Sequence, residues 1–271
     1  IQGTFPQGYG RTVTNTAKVT DAVSDYQTGT VTTYVPSKPE STKSVSVDGG
    51  KSYGELGQLA VRSNEYIWKI DHKLANHSEY SEIVLNDELE EIQAVDASKV
   101  KVYNYDGTDI TNGGKVAIKE TNGKNVVTWT ASAETIKSIN DKFGVKSDEE
   151  PRLTMTIATN IAAATNADEA RFYNKDTDRV EIPNVGSMKL TAKNEGSIAV
   201  RSNTPKVVTP TPGDSSVKKF VAVDGDNPQW SDKLELSNFD SLYQYRTEFK
   251  LARNFNFDTG SLILSDTYEN L

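Results

Sequence analysis

Polar and apolar residues alternate with a period of two along most of the chain, which predicts strands rather than helices. From Tyr66 to Leu74, Tyr66, Trp68, Ile70 and His72 share one face, while Lys69, Asp71 and Lys73 take the opposite parity. From Arg11 to Val19 the residues Val13, Asn15, Ala17 and Val19 share a side. Strands are also predicted from Thr30 to Val35, Lys43 to Val47, Ser81 to Leu85, Val100 to Tyr105, Val116 to Lys119 and Val126 to Thr130. The series continues from Leu153 to Thr159, Arg171 to Tyr173, Val180 to Leu190 and Ser197 to Ser202, with a short candidate from Leu59 to Arg62. Asp48-Gly49-Gly50, Asp106-Gly107 and Asn122-Gly123 are turn signals between them. One stretch has helical spacing: Ile136, Ile139 and Phe143 lie at i, i+3 and i+7, with Ser132 as N-cap and Gly144 as a stop. The expected fold class is mainly β, with tandem Ig-like β-sandwich domains and one short helix in the complete domain.

The pattern repeats. Lys43-Ser-Val-Ser-Val-Asp-Gly49 returns as Lys219-Phe-Val-Ala-Val-Asp-Gly225. Tyr66-Ile-Trp-Lys-Ile-Asp71 aligns with Tyr243-Gln-Tyr-Arg-Thr-Glu248, and Ile83-Val-Leu-Asn-Asp87 with Leu262-Ile-Leu-Ser-Asp266. Val13-Thr-Asn15 corresponds to Ile182-Pro-Asn184. A period this long means tandem domains rather than a solenoid of small units. Residues 1–35 read as the C-terminal part of one β-sandwich domain and 36–40 as a linker. Residues 41–204 read as a complete domain, 205–216 as a Pro/Thr linker and 217–271 as the N-terminal part of a following domain.

A formal net charge of −8 argues against nucleic acid as a partner. No apolar run is long enough to predict membrane insertion in this fragment. The absence of cysteine excludes disulfides and thiolate chemistry.

Lysine, acid and asparagine recur at matched strand positions. A lysine amine attacks only when neutral, and burial disfavours its charged form. A carboxamide is a poor electrophile until its oxygen receives a proton or a strong hydrogen bond. A buried carboxylic acid held neutral is suited to that task. Lys43 is therefore the expected nucleophile, Asn184 the electrophile and Asp71 the acid of a self-catalysed Lys–Asn isopeptide bond. Lys219 and Glu248 would be the first two members of a second site, and Asn15 the last member of a preceding one. No cofactor is expected. Asp176, Asp178 and Glu181 offer a Ca²⁺ alternative, but they lack a full loop signature and read more simply as a solvated acidic loop.

The Tyr66-Ile-Trp-Lys-Ile-Asp71 strand, the Leu85-Asn-Asp-Glu88 segment, the hairpin from Val102 to Ile110 and the closing Pro183-Asn-Val-Gly186 strand resemble the C-terminal stalk domains of antigen I/II-type adhesins. Isopeptide domains of aggregation substances and Gram-positive fimbrial proteins are related to these. Two departures stand out. Two residues after Asn184 stands Gly186, where the family usually has Ala (Asn15 keeps Ala17), and Glu248 stands where Asp is usual. The resemblance implies an extracellular, cell-wall-anchored surface protein with its anchor outside this fragment. Its stalk would present a distal adhesive head, and the full-length protein would meet a host or bacterial surface ligand. An alternative is that the stalk domains bind such a ligand through their own loops. A turnover enzyme is not expected, since each cross-link forms once.

Overall fold

The computed structural model describes residues 9–145, 147–162, 169–193, 196–210, 216–251 and 263–267. At the N-terminal end, β1 (Arg11–Asn15) pairs with β4 (Val31–Val35), and β2 (Lys18–Thr20) pairs with β3 (Asp25–Gln27). The stretch from Arg11 to Val19 is thus two strands, and the break falls after Asn15, where the chain changes partner.

From residue 40 to 208 the strands are β5 (Glu40–Ser46), β6 (Leu56–Gln58), β7 (Tyr66–Lys73), β8 (Tyr80–Glu90), β9 (Val100–Tyr103), β10 (Gly114–Thr121) and β11 (Lys124–Ala131). After helix α1 (Ala133–Phe143) come β12 (Arg152–Thr159), β13 (Tyr173–Asn174), β14 (Arg179–Pro183), β15 (Val185–Ala192), β16 (Ser197–Arg201) and β17 (Lys206–Val208). One sheet runs β5-β7-β12-β9 and another β10-β11-β8-β15-β16, while β13-β14-β17-β6 forms a smaller third. The first two face each other over a shared core that includes Trp68, Ile70, Met155, Leu85, Trp129 and Met188. Period-two burial in β7 and β12 produces this directly, because alternate residues point into the sandwich and the rest point out. Two strands at the C-terminal end, β18 (Ser216–Val223) and β19 (Tyr243–Lys250), pair antiparallel. The described chain is mainly β with a single α-helix.

Several boundaries differ from the sequence expectation for identifiable reasons. β8 runs to Glu90 because it is central, hydrogen-bonded to β11 on one side and β15 on the other. Its outward polar residues are covered by pairs such as Arg201–Glu88 and Lys124–Glu90. The stretch from Val180 to Leu190 is two strands. β14 pairs with β17, whereas β15 pairs with β8 and β16. Asn184 sits where the chain crosses between sheets, next to Pro183, which has no N–H to continue a ladder. The short strand expected from Leu59 to Arg62 lies earlier, at β6, pairing parallel with β17.

Close approach of the sheets depends on Gly186. A Cβ there would lie 2.5 Å from the Ile70 Cδ1 atom of the facing sheet, so any side chain would push the layers apart. Helix α1 begins as its sequence implies: the Ser132 hydroxyl accepts from the Thr135 N–H at 3.2 Å. Its Asn140 amide exchanges two hydrogen bonds of 2.8 Å with the Tyr80 main chain, which fixes the helix against the start of β8. Among the described residues no helix is long and apolar enough to cross a membrane.

Candidate cross-linking site

Lys43 is on β5, directly opposite Ile70 of β7, and therefore points into the sandwich with it. Asp87 is on β8, two residues beyond Leu85, and its register partner on β15 is Gly186. Ile83, Leu85, Asp87 and Leu89 are all buried, so an acid occupies a position the alternation reserves for apolar side chains. The Lys43 ammonium nitrogen lies 2.6 Å from Asp87 Oδ2, and neither side chain has solvent exposure. Asn184, also buried, places its amide beside Asp87, near enough to favour the carboxylate but outside hydrogen-bond geometry. Asp87 Oδ1 and both polar atoms of the Asn184 amide have no partner.

Burial acts on the two charged members in opposite senses. It pushes the Lys43 amine down, against the pull of the Asp87 charge. It pushes the Asp87 carboxyl up, against Lys43 and Asn184. Both shifts favour moving one proton from the amine to the acid, which yields a neutral nucleophile beside a neutral acid. Each unpartnered buried polar group costs about 1–3 kcal/mol, so the cluster is costly as it stands. That cost would be relieved by a reaction that removes ammonia and leaves an amide.

The surroundings hold this geometry. The Trp68 ring centroid lies 5.4 Å from Lys43 Nζ. The indole is fixed by Gln93, whose Oε1 accepts from Trp68 Nε1 at 2.7 Å and from the Tyr66 hydroxyl at 3.1 Å. β5 is an edge strand, and the Asn203 side chain replaces the missing neighbour at Lys43. Its Oδ1 accepts from the Lys43 N–H at 2.7 Å, and its Nδ2 donates to the Lys43 carbonyl at 3.0 Å.

The acid named from the sequence is elsewhere. Asp71 faces Thr42 and Thr154 across the ladder, on the outer side of the sheet. It is 42% exposed, accepts from the Thr154 hydroxyl at 2.7 Å and pairs with Lys69 at 2.9 Å. A one-residue step along a strand reverses the face, so Asp71 and inward Ile70 cannot serve the same side. Glu248 is displaced likewise: it lies opposite Lys218, whereas Lys219 lies opposite Thr247, and its carboxylate pairs with Arg246. Lys219 instead meets Asp266 at 2.5 Å and lies 4.4 Å from the Tyr245 ring centroid. By the repeat alignment these are the counterparts of Asp87 and Trp68. The pairing therefore occurs in both copies, although the second is partly exposed. Asn15 closes β1 opposite Val31 in an exposed position.

In the acidic loop the Tyr173 hydroxyl donates to Asp178, and the Asp176 N–H donates to Asn174. Among the described residues no three His, Cys, Asp or Glu side chains converge as a metal site would require.

His72 is a buried ionisable neighbour of Lys43. Its Nδ1 is 2.9 Å from the Ser41 hydroxyl and its Nε2 has no partner. Burial, with the Lys43 charge second, pushes it down to about 3. The unfolded chain therefore takes up a proton below about pH 6.5 that the fold refuses, and stability falls as the pH drops from there toward 3. Wild type is expected to lose a few kcal/mol across that window, measured by denaturant unfolding at stepped pH. His72→Leu should flatten that part of the profile.

No family model matches the chain, and no curated protein matches it. Among solved structures it is similar to BcpA, the major pilin subunit of Bacillus cereus, at 16% identity and a TM-score of 0.49. That match covers 88% of this chain and 63% of the pilin, so the chain spans under two thirds of the pilin's length. It is also similar to the 35 kDa C-terminal fragment of the major pilin GBS80 of Streptococcus agalactiae, at 13% identity and a TM-score of 0.46, covering 79% of this chain and 80% of the other. A third is the C-terminal domain of the AgI/II polypeptide BspA of Streptococcus agalactiae, at 15% identity and a TM-score of 0.40, covering 67% of this chain and 52% of the other.

Proposed function

We propose that the middle domain ties itself with an isopeptide bond between Lys43 and Asn184, with Asp87 as the acid, and that the tied domain serves as a structural stalk element of an extracellular surface protein. The observation that carries this reading is the dry cluster of lysine, acid and carboxamide, in which the acid holds the amine and three polar atoms lack partners. Proton transfer from Lys43 to Asp87 frees the amine. Asp87 then donates to the Asn184 carbonyl oxygen while the amine attacks Cγ. The Lys43 Nζ–Cγ bond forms, the Cγ–Nδ2 bond breaks, and the amide nitrogen leaves as ammonia after proton return through Asp87. Amine plus carboxamide gives a secondary amide plus ammonia, so the step balances without cofactor or oxidant. The reaction occurs once per molecule, which separates it from turnover catalysis.

The bond would join β5 in one sheet to the crossover before β15 in the other. Tension arriving through β5 would then pass to the closing strands without peeling the layers apart. A cysteine-free chain gains by this route the covalent restraint that disulfides give many extracellular domains. The sequence resemblance to adhesin stalks points to a Gram-positive surface, with an adhesive head and wall anchor carried elsewhere in the protein. Peptide mapping is the direct test. Proteolysis should release a branched species joining the Lys43 and Asn184 segments, absent from Asn184→Ala; two separate unmodified peptides in wild type would refute the tie.

A further inference from the structure

Where β4 leads into the middle domain, Tyr34 lies flat on the imidazole of His77, with ring centroids 4.3 Å apart and planes within 12° of parallel. Beside the stack the two segments are laced together. The Ser37 N–H donates to Asn76 Oδ1 at 2.8 Å, and the Asn76 N–H donates to Ser37 Oγ at 3.1 Å. Asn76 Nδ2 also donates to the Asp148 carbonyl at 3.1 Å. The joint thus gathers the end of β4, the turn before β8 and the segment after α1.

His77 is at the centre of this joint, and each of its ring nitrogens meets an oxygen. Nδ1 is 2.9 Å from the Val145 carbonyl oxygen, and Nε2 is 3.0 Å from Asp148 Oδ1. Neither partner has a proton to give when Asp148 is ionised. Only the doubly protonated ring donates to both; the neutral ring must turn a lone pair toward one oxygen. The imidazolium is also the form attracted to the face of the Tyr34 ring. The backbone of His77 has φ of 50°, a left-handed conformation that persists in a non-glycine residue when its surroundings hold it. The titratable groups that face the ring are the Asp148 carboxylate and the Tyr34 phenol. Nearby charges are directed elsewhere: Lys142 of α1 lies over Tyr105, Glu79 pairs with Lys193 and Glu150 with Lys73.

We propose that His77 is a proton-operated lock on the joint between the β1–β4 unit and the middle domain. Protonated, it clamps Tyr34, Val145 and Asp148 together and fixes the angle between the two. Deprotonated, it loses one hydrogen bond and the cation–ring attraction, and the joint loosens. The lock closes when the ring carries both protons and opens when it gives one up.

Because the chain has no cysteine, spin labels can be placed at Thr32→Cys on β4 and Lys119→Cys on β10 in the full chain. The inter-label distance distribution, measured by pulsed electron resonance, is expected to be about two-fold narrower at pH 5.5 than at pH 8. His77→Asn tolerates the left-handed backbone but cannot titrate, and should give the same width at both pH values. Tyr34→Leu removes the stack alone and should be broad at both. Equal widths in wild type, surviving pH dependence in His77→Asn, or a narrow acid distribution in Tyr34→Leu would each overturn the proposal. None of these outcomes depends on the cross-link, which mass spectrometry reports separately.

Discussion

Asp87→Asn is expected to leave the protein folded and without its isopeptide bond, whereas Asp71→Ala is expected to fold and cross-link fully. Asn keeps the shape of Asp87 and one hydrogen bond to the amine, but it can neither take the amine's proton nor deliver one to the Asn184 oxygen. General acid–base catalysis of this kind contributes about 10²- to 10⁴-fold, and here a single group serves both the nucleophile and the electrophile. A loss at the upper end would stretch bond formation from the time of folding to days or longer. Asp71 touches Thr154 and Lys69 at the surface. Its removal should change stability by only about 1 kcal/mol or less, as exposed ion pairs do. The pair of variants separates the two acids by time-resolved intact mass after refolding. Full cross-linking in Asp87→Asn, or its loss in Asp71→Ala, would reverse the assignment made from the geometry.

Lys43→Met supplies the second large effect, and here the sign carries the information. If no bond formed, Lys43 would be one half of a buried ion pair, and an apolar side chain of similar length would be neutral or even stabilising. Burial already pushes the Asp87 carboxyl up, so the acid left behind can take a proton rather than remain an isolated charge. If the bond forms, the same substitution removes a covalent loop running from residue 43 to residue 184. By the loop-closure treatment of cross-links this tie is worth roughly 5 kcal/mol. For a domain of this size that corresponds to a fall in Tm of about 10–20 °C. Calorimetry of wild type against Lys43→Met decides between a large drop and none.

Much of the fold could be read from alternation alone. β7 and β12 are amphipathic in the plain period-two sense, and the helix carries its own cap and stop. The pattern failed where tertiary pairing decides. Val180 to Leu190 is uniformly strand-like, yet it is split because its two halves belong to different sheets. Ser81 to Leu85 extends to Glu90 because two neighbours, which local sequence does not reveal, cover its polar side.

At the site, lysine and asparagine stood out because they recur at matched positions. The expected acid, Asp71, lies on the outer face of its sheet, and the parity that puts it there is visible in the sequence. Asp71 shares parity with Lys69 and Lys73, the outward set. Asp87 shares parity with Ile83, Leu85 and Leu89, the inward set, and its counterpart Asp266 recurs in the second copy. An acid in an otherwise apolar register is the more informative signal, because a buried carboxyl needs a partner to justify its cost. Asn203 could not have been found this way: its role is to complete an edge strand 160 residues away, which only the folded arrangement defines.

The bond itself is best tested by the intact mass of freshly purified, unmodified protein. Formation of one Lys43–Asn184 amide expels one ammonia, so the mass should lie about 17 Da below that of the sequence, a deficit absent from Lys43→Met and Asn184→Ala after correction for each substitution. A wild-type mass equal to that of the full sequence would mean that the amine, the acid and the carboxamide meet in the core without reacting.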